Sequence, residues 1–184
     1  MKIDKTKPDR NISKRLSKVL RHAPEAMGLT LDDGGWVAVD QVLAGFARQG
    51  RSIGRDDLQR VVDTNDKKRF TFSDDGLRIR AAQGHSVNVD LGLNHAEPSA
   101  ILYHGTAEAN LAAIKRDGLK PQSRQQVHLS SDRDTARRVG ARHGKPRILQ
   151  VDTAKMVRAG HKFYLADNGV WLTDAVLPEY LSGF

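Results

Sequence analysis

Four short clusters hold the side chains best suited to chemistry on a phosphorylated ligand. They are Leu20-Arg21-His22, Lys67-Lys68-Arg69-Phe70, Gln83-Gly84-His85-Ser86, and Tyr103-His104-Gly105-Thr106 together with Val127-His128-Leu129-Ser130. A guanidinium offers two parallel N–H donors to a phosphate, and an imidazole can carry a proton near neutral pH. Each cluster also has a plain structural explanation. Arg21-His22 suits the C-terminal end of a helix, where cations meet the macrodipole. Arg69 at a strand start could be surface charge, and a histidine following a buried strand is usually a hydrogen-bonded structural one. His143 and His161 are too isolated to suggest a metal site. No phosphate-binding Gly-Lys-Ser/Thr loop, dinucleotide-binding glycine triplet, His-Glu-x-x-His or Gly-x-Ser-x-Gly elbow occurs.

Composition narrows the classes further. The 184 residues include 30 Lys and Arg against 22 Asp and Glu, seven His and no Cys, for a net charge of +8. Without cysteine there is no disulfide scaffold, thiolate nucleophile or Cys-ligated metal; with no histidine metal motif either, a thiol-free and metal-free mechanism is expected. No apolar run approaches the ~18 residues of a membrane span, and no apolar stretch follows the charged N-terminus as in a signal peptide. The expectation is a cytoplasmic monomer with no membrane partner and a polyanionic ligand. Residues 1–21 alone carry eight basic and two acidic side chains.

The elements that must position these clusters fall into two patterns. Ile12, Leu16, Val19 and Leu20 recur at helical spacing, with Lys14, Lys18 and Arg21 on the other face. Asn11 or Ser13 is the expected cap of this helix, and Pro24 ends the segment. Asp40 is expected to cap a helix to about Arg48, and another helix starts near Arg55. Period-two alternation then appears in Arg69–Phe72 and Leu77–Arg80 around an Asp75-Gly76 turn, a hairpin signal. Helices followed by a hairpin predict a winged-helix lobe. Residues 87–99 read as a linker. Short strands and helices alternate beyond it: strands at Ile101–Tyr103, Val127–Leu129, Arg147–Val151 and Gly169–Leu172, and helices over Ala107–Asp117 and from an Asp132 cap to about Arg142.

Taken in order, these clusters closely resemble the NAD-dependent RNA 2′-phosphotransferases. The likeness runs from about Ser13 to Leu177 and includes Asn168-Gly169-Val170-Trp171-Leu172-Thr173. It implies an α+β chain, with a winged-helix RNA-binding lobe at 1–92 and an ADP-ribosyltransferase-like NAD-binding lobe at 99–184. It also implies removal of an internal RNA 2′-phosphate, such as the one some tRNA ligases leave at a splice junction. The phosphate attacks the nicotinamide-bearing carbon of NAD, and ADP-ribosylated RNA phosphate results. A ribose hydroxyl then displaces the RNA as ADP-ribose 1″,2″-cyclic phosphate forms.

The resemblance assigns Arg21, His22, Arg69 and Arg124 to the phosphate and its transfer. It assigns His104, Gly105, Thr106, His128, Leu129, Ser130 and Val170 to NAD, with His104 at a strand end and Gly105 open to close approach by nicotinamide. Lys14, Lys18 and Lys68 are the expected RNA contacts. Val170 stands where protein-modifying relatives carry a catalytic glutamate, and a phosphate dianion is already a nucleophile without one. Two other readings compete: an ADP-ribosyltransferase of phosphorylated RNA or DNA ends, and a winged-helix DNA-binding regulator.

Overall fold

A computed structural model describes residues 6–184, so Lys2 and Lys5 of the basic N-terminal segment lie outside the described residues. The chain divides into two compact units, 1–92 and 93–184, each with its own hydrophobic core. Its secondary structure is mixed, with short helices and three small antiparallel sheets of the α+β kind.

Helix α1 (Thr6–Arg21) turns the stripe Ile12, Leu16, Val19 and Leu20 into the first core, each of them at most 4% exposed. The helix begins ahead of Asn11 and Ser13, so neither caps it; Ser13 Oγ instead accepts from Asn65 Nδ2 at 3.2 Å. Pro8 is no obstacle because the first helical turn has no intrahelical N–H bonds to lose. Pro24 opens a short 3-10 turn and prevents α1 from continuing. Strand β1 (Val37–Ala38) leads directly into α2 (Val39–Arg48), so Asp40 lies in the first helical turn and Ala38 is the cap residue. Helix α3 (Arg55–Asp63) is tied to α1 by Arg60, whose Nε and Nη2 donate to Asp9 at 3.0 and 2.8 Å. Strands β2 (Phe70–Phe72) and β3 (Arg78–Ala81) form the expected hairpin, and β1 pairs on the far side of β3.

The second unit holds two sheets. Strand β4 (Ile101–Ala107) pairs along its whole length with β6 (Pro146–Asp152), and β9 (Leu181–Ser182) pairs with β6. Strand β5 (Val127–Leu129) pairs with β8 (Trp171–Thr173), which also pairs with β7 (Tyr164–Leu165). A bridge between Tyr103 and Ser130 joins the two sheets.

β4 runs four residues beyond the expected Tyr103, so His104-Gly105-Thr106 lie inside the strand and not after it. Pairing with β6 overrides the weak strand preference of Gly105. The following helix accordingly starts late: a 3-10 turn covers Glu108–Asn110 before α4 (Leu111–Asp117). Helix α5 (Arg133–Gly140) begins as expected, with Asp132 accepting from Thr135 N at 2.7 Å. Helix α6 (Thr153–Arg158) and strand β9 are absent from the sequence reading; α6 is capped by Asp152, which accepts from Lys155 N at 2.8 Å.

Candidate functional site

In the first unit the end of α1 and the start of the hairpin are brought together. Arg21 is the last residue of α1, and its Nη2 lies 3.5 Å from the Arg69 carbonyl, which also accepts from Ala82 N at 2.9 Å. Arg69 Nη1 donates to Asn65 Oδ1 at 3.1 Å, and the same oxygen accepts from Lys67 N at 3.2 Å. Lys68, between them, has a left-handed backbone, φ 40°, which an L-residue adopts only when its surroundings enforce it. Its ammonium is left exposed. Asn65 therefore shapes the whole Lys67-Lys68-Arg69 turn.

His22 is exposed, and its ring is aimed by the neighbouring cluster. Ser86 N donates to the Arg21 carbonyl at 2.9 Å, which closes the C-terminal end of α1. Ser86 Oγ lies 3.0 Å from His22 Nδ1 and 3.4 Å from the same carbonyl. A serine hydroxyl has one proton, so if it points to the carbonyl, His22 Nδ1–H must be the donor to Ser86 Oγ. Proton exchange then belongs to Nε2.

His85, next to Ser86, is 2% exposed, and neither ring nitrogen has a hydrogen-bond partner among the described residues. Burial, followed by the charges of Arg21, His22 and Arg80, lowers its pKa from 6.5 to about 4. It is a neutral ring beneath a cluster of cations.

In the second unit, β5 links three of the expected residues. Arg124 Nη1 donates to His128 Nδ1 at 2.8 Å, so that nitrogen is an acceptor and the His128 proton sits on Nε2. His104 Nδ1 lies 3.1 Å from the His128 carbonyl, so Nδ1 carries the His104 proton and Nε2 is the acceptor. Burial is the main cause of a lowered His104 pKa, only partly offset by that carbonyl, and the Arg124 charge lowers it further. The surrounding protein, and then Arg142, also disfavour the Arg124 charge; its exposed side chain and high intrinsic basicity keep it a cation. Two neutral histidines of opposite tautomer thus stand on adjoining strands, one offering an acceptor and the other a donor.

The remaining expected residues are placed as follows. Ser130 is held by paired backbone bonds with Tyr103, both 2.8 Å. Thr106 is buried, and its hydroxyl accepts from Asn110 Nδ2 at 3.2 Å. The Leu129 side chain belongs to the core. Val170, half-buried, precedes β8; its N–H donates to Asn168 Oδ1 at 3.3 Å.

Gly105 has a different explanation from the expected one. A Cβ there would lie 1.7 Å from the Ala136 carbonyl oxygen, and a Cβ on Gly140 would lie 2.7 Å from that of Thr106. The glycine lets α5 seat against β4, and its space is filled by protein. Lys14 and Lys18 line a groove with Asn11, Arg15 and Arg51.

Ser86, His85, Asn65 and Gly140 were not among the expected site residues. The first two lie in a cluster visible in the sequence, whereas the bonds of Asn65 and the contact of Gly140 are tertiary. Among the described residues no group of three or more His, Asp or Glu is arranged to hold a metal ion.

Comparison with known proteins is consistent across the chain. The sequence model of the RNA 2′-phosphotransferase, Tpt1/KptA family, matches residues 7–175. A probable RNA 2′-phosphotransferase of Herpetosiphon aurantiacus is 56% identical over 171 residues, covering 93% of this chain and 94% of its own. A protein of the same description from Agrobacterium fabrum is 58% identical over 170 residues, covering 92% and 91%. Another, from Flavobacterium johnsoniae, is 49% identical over 172 residues, covering 94% of each. Matching this family model over residues 7–175 and these relatives over more than nine-tenths of its length, the chain belongs to the RNA 2′-phosphotransferase, Tpt1/KptA family.

Proposed function

We propose that this protein removes an internal 2′-phosphate from RNA by transferring it to NAD. The observation that carries the reading is the family match over residues 7–175, within which the arginine and histidine clusters fall. The first unit acts as a winged-helix RNA-binding lobe at 1–92, and 99–184 acts as an NAD-binding lobe of the ADP-ribosyltransferase type.

A 2′-phosphate oxygen bonds to the ribose carbon of NAD while the bond to nicotinamide breaks, and nicotinamide leaves with the bonding electrons. The adjacent ribose 2″-hydroxyl then attacks phosphorus. The bond to the RNA 2′-oxygen breaks, that oxygen takes a proton, and ADP-ribose 1″,2″-cyclic phosphate departs.

Arg21 and Arg69 supply forked donors to the phosphate, and His22 moves the proton through Nε2. Arg124 stabilises charge as the phosphorus is attacked. The NAD residues have suitable chemistry: His104 Nε2 is an acceptor and His128 Nε2 a donor for ribose hydroxyls. In this reading Leu129 and Gly105 shape the strands, and the contacts come from their neighbours. The absence of a glutamate at Val170 leaves no base to activate a protein side chain, which favours a phosphate nucleophile.

The test is to mix the protein with 2′-phosphorylated RNA and NAD. Dephosphorylated RNA with the cyclic phosphate supports the proposal. ADP-ribosylated RNA as the end product would mark a transferase of phosphorylated ends, and no NAD consumption would point to a DNA-binding regulator. Arg69→Ala and Arg124→Ala should still bind NAD but fail in the second step.

A further inference from the structure

Asn11, Lys14, Arg15 and Lys18 follow one another at i, i+3, i+4 and i+7, on the side of α1 away from its buried stripe. With Arg51, just past α2, they line an open groove of about 430 Å³. That volume exceeds one phosphate and suits sugar-phosphate units. Among the described residues, none of its four cations is paired with a carboxylate. Arg15 Nη1 donates at 2.7 Å to the neutral Gln49 Oε1, and Gln49 is itself anchored to the Ala26 carbonyl at 2.7 Å. Other cations of the same unit are neutralised: Arg60 bridges Asp9 and Asp57, and Arg78 lies 3.6 Å from Asp32. Four like charges gathered without counter-charge repel one another, and a bound polyanion relieves that repulsion.

The groove lies along α1 from the residues proposed to act on the reacting phosphate. At a helical rise of 1.5 Å per residue, Lys18 and Lys14 are about 5 and 10 Å from Arg21 along the axis. That offset matches nucleotides beside the reacting one. Resting on the RNA reading above, we propose that the groove is a second anion site, which holds backbone phosphates flanking the 2′-phosphorylated nucleotide. Arg15 and Arg51 complete the set begun by Lys14 and Lys18, and Arg15 is pre-positioned by Gln49.

The experiment compares two RNAs carrying the same 2′-phosphate, a dinucleotide and an octanucleotide, by equilibrium binding over a range of salt. In Lys14→Gln/Arg51→Gln, affinity for the octanucleotide should fall about 10- to 100-fold. Its logarithmic salt slope should flatten by about 1.4, two single-strand phosphate contacts at ~0.7 each, while dinucleotide affinity changes less than about twofold. Asn11→Arg adds a cation to the groove and should steepen the slope by about 0.7. Equal loss on both RNAs, or no loss on either, overturns the proposal. Turnover of the dinucleotide by the unmodified protein with NAD is scored separately. Its absence would refute the reaction, whereas the binding comparison alone decides the groove.

Discussion

Acidification should destabilise the first unit through His85 well before its carboxylates titrate. The ring is buried, and its pKa is about 4 in the folded chain against 6.5 in the ordinary state. The unfolded chain therefore binds a proton that the folded chain refuses, and stability falls with pH between these two values. A difference of 2.5 pKa units corresponds to about 3 kcal/mol over the whole window, and to about 2 kcal/mol between pH 7.5 and 5. Asp57 and Asp75 have lowered pKa values, the first mainly through the Gly54 N–H bond and the second through Ser73. Their losses begin only near their unfolded value of 3.8, so the interval from pH 6.5 to 4.5 belongs to His85. The assay is urea unfolding followed by Trp36 fluorescence in a Trp171→Phe background, because the chain has only these two tryptophans. His85→Leu removes the titration and two unsatisfied ring nitrogens, so it should be at least as stable at pH 5 as at pH 7.5. Parallel pH profiles for the two proteins would refute the assignment of this acid sensitivity to His85.

Gly105→Ala should cost the second unit about 3 kcal/mol or more, since the new methyl collides with the backbone of α5 and no side chain can yield; a thermal midpoint within 2 °C of the parent would contradict this. Ser86→Ala removes the hydroxyl 3.0 Å from His22 Nδ1 and should lower kcat about tenfold with KM for NAD unchanged, while Ser86→Thr should retain activity and the parental pH profile. Asn65→Ala removes the bonds to Arg69, Lys67 and Ser13 and should destabilise the first unit by about 1–2 kcal/mol, read from urea midpoints. Chelation with EDTA should leave the NAD-dependent rate unchanged, and a loss restored by added divalent cation would require revision of the proposed chemistry.

How much of this was legible in the sequence depends on the range of the interactions involved. Helix α1 and the β2–β3 hairpin were visible because local periodicity sets which face is buried, as for Leu16 and Ile79. The start of α1 was not, because Asn11 and Ser13 are good caps in isolation but sit mid-helix once Asp9 anchors the preceding turn to Arg60. The true extent of β4 was hidden for the same reason. Nothing after Tyr103 signals that the strand continues, and only the ladder to β6 and the approach of Gly140 extend it. The clusters supplied the expected site residues, but the groups that orient them, Asn65 and Ser86, act from 4 and 64 positions away and have no periodic signature.

The bonds around β5 show why the spacing of Arg124 and His128 matters more than their mere presence. Arg124 is a pure donor, so its bond to His128 Nδ1 fixes which nitrogen of that ring is bare. The His128 carbonyl fixes the opposite tautomer on His104, which burial also keeps neutral. One short strand and the turn before it thus set two tautomers, with a single backbone carbonyl and a single guanidinium. Lysine at position 124 would retain the charge, but its ammonium lacks the planar fork that can bond His128 with one arm and present the other to an anion. Arg124→Lys should therefore impair transfer nearly as severely as Arg124→Ala, even though net charge is preserved. Near-parental single-turnover rates for Arg124→Lys would mean that charge alone is required and that the tautomer relay is incidental.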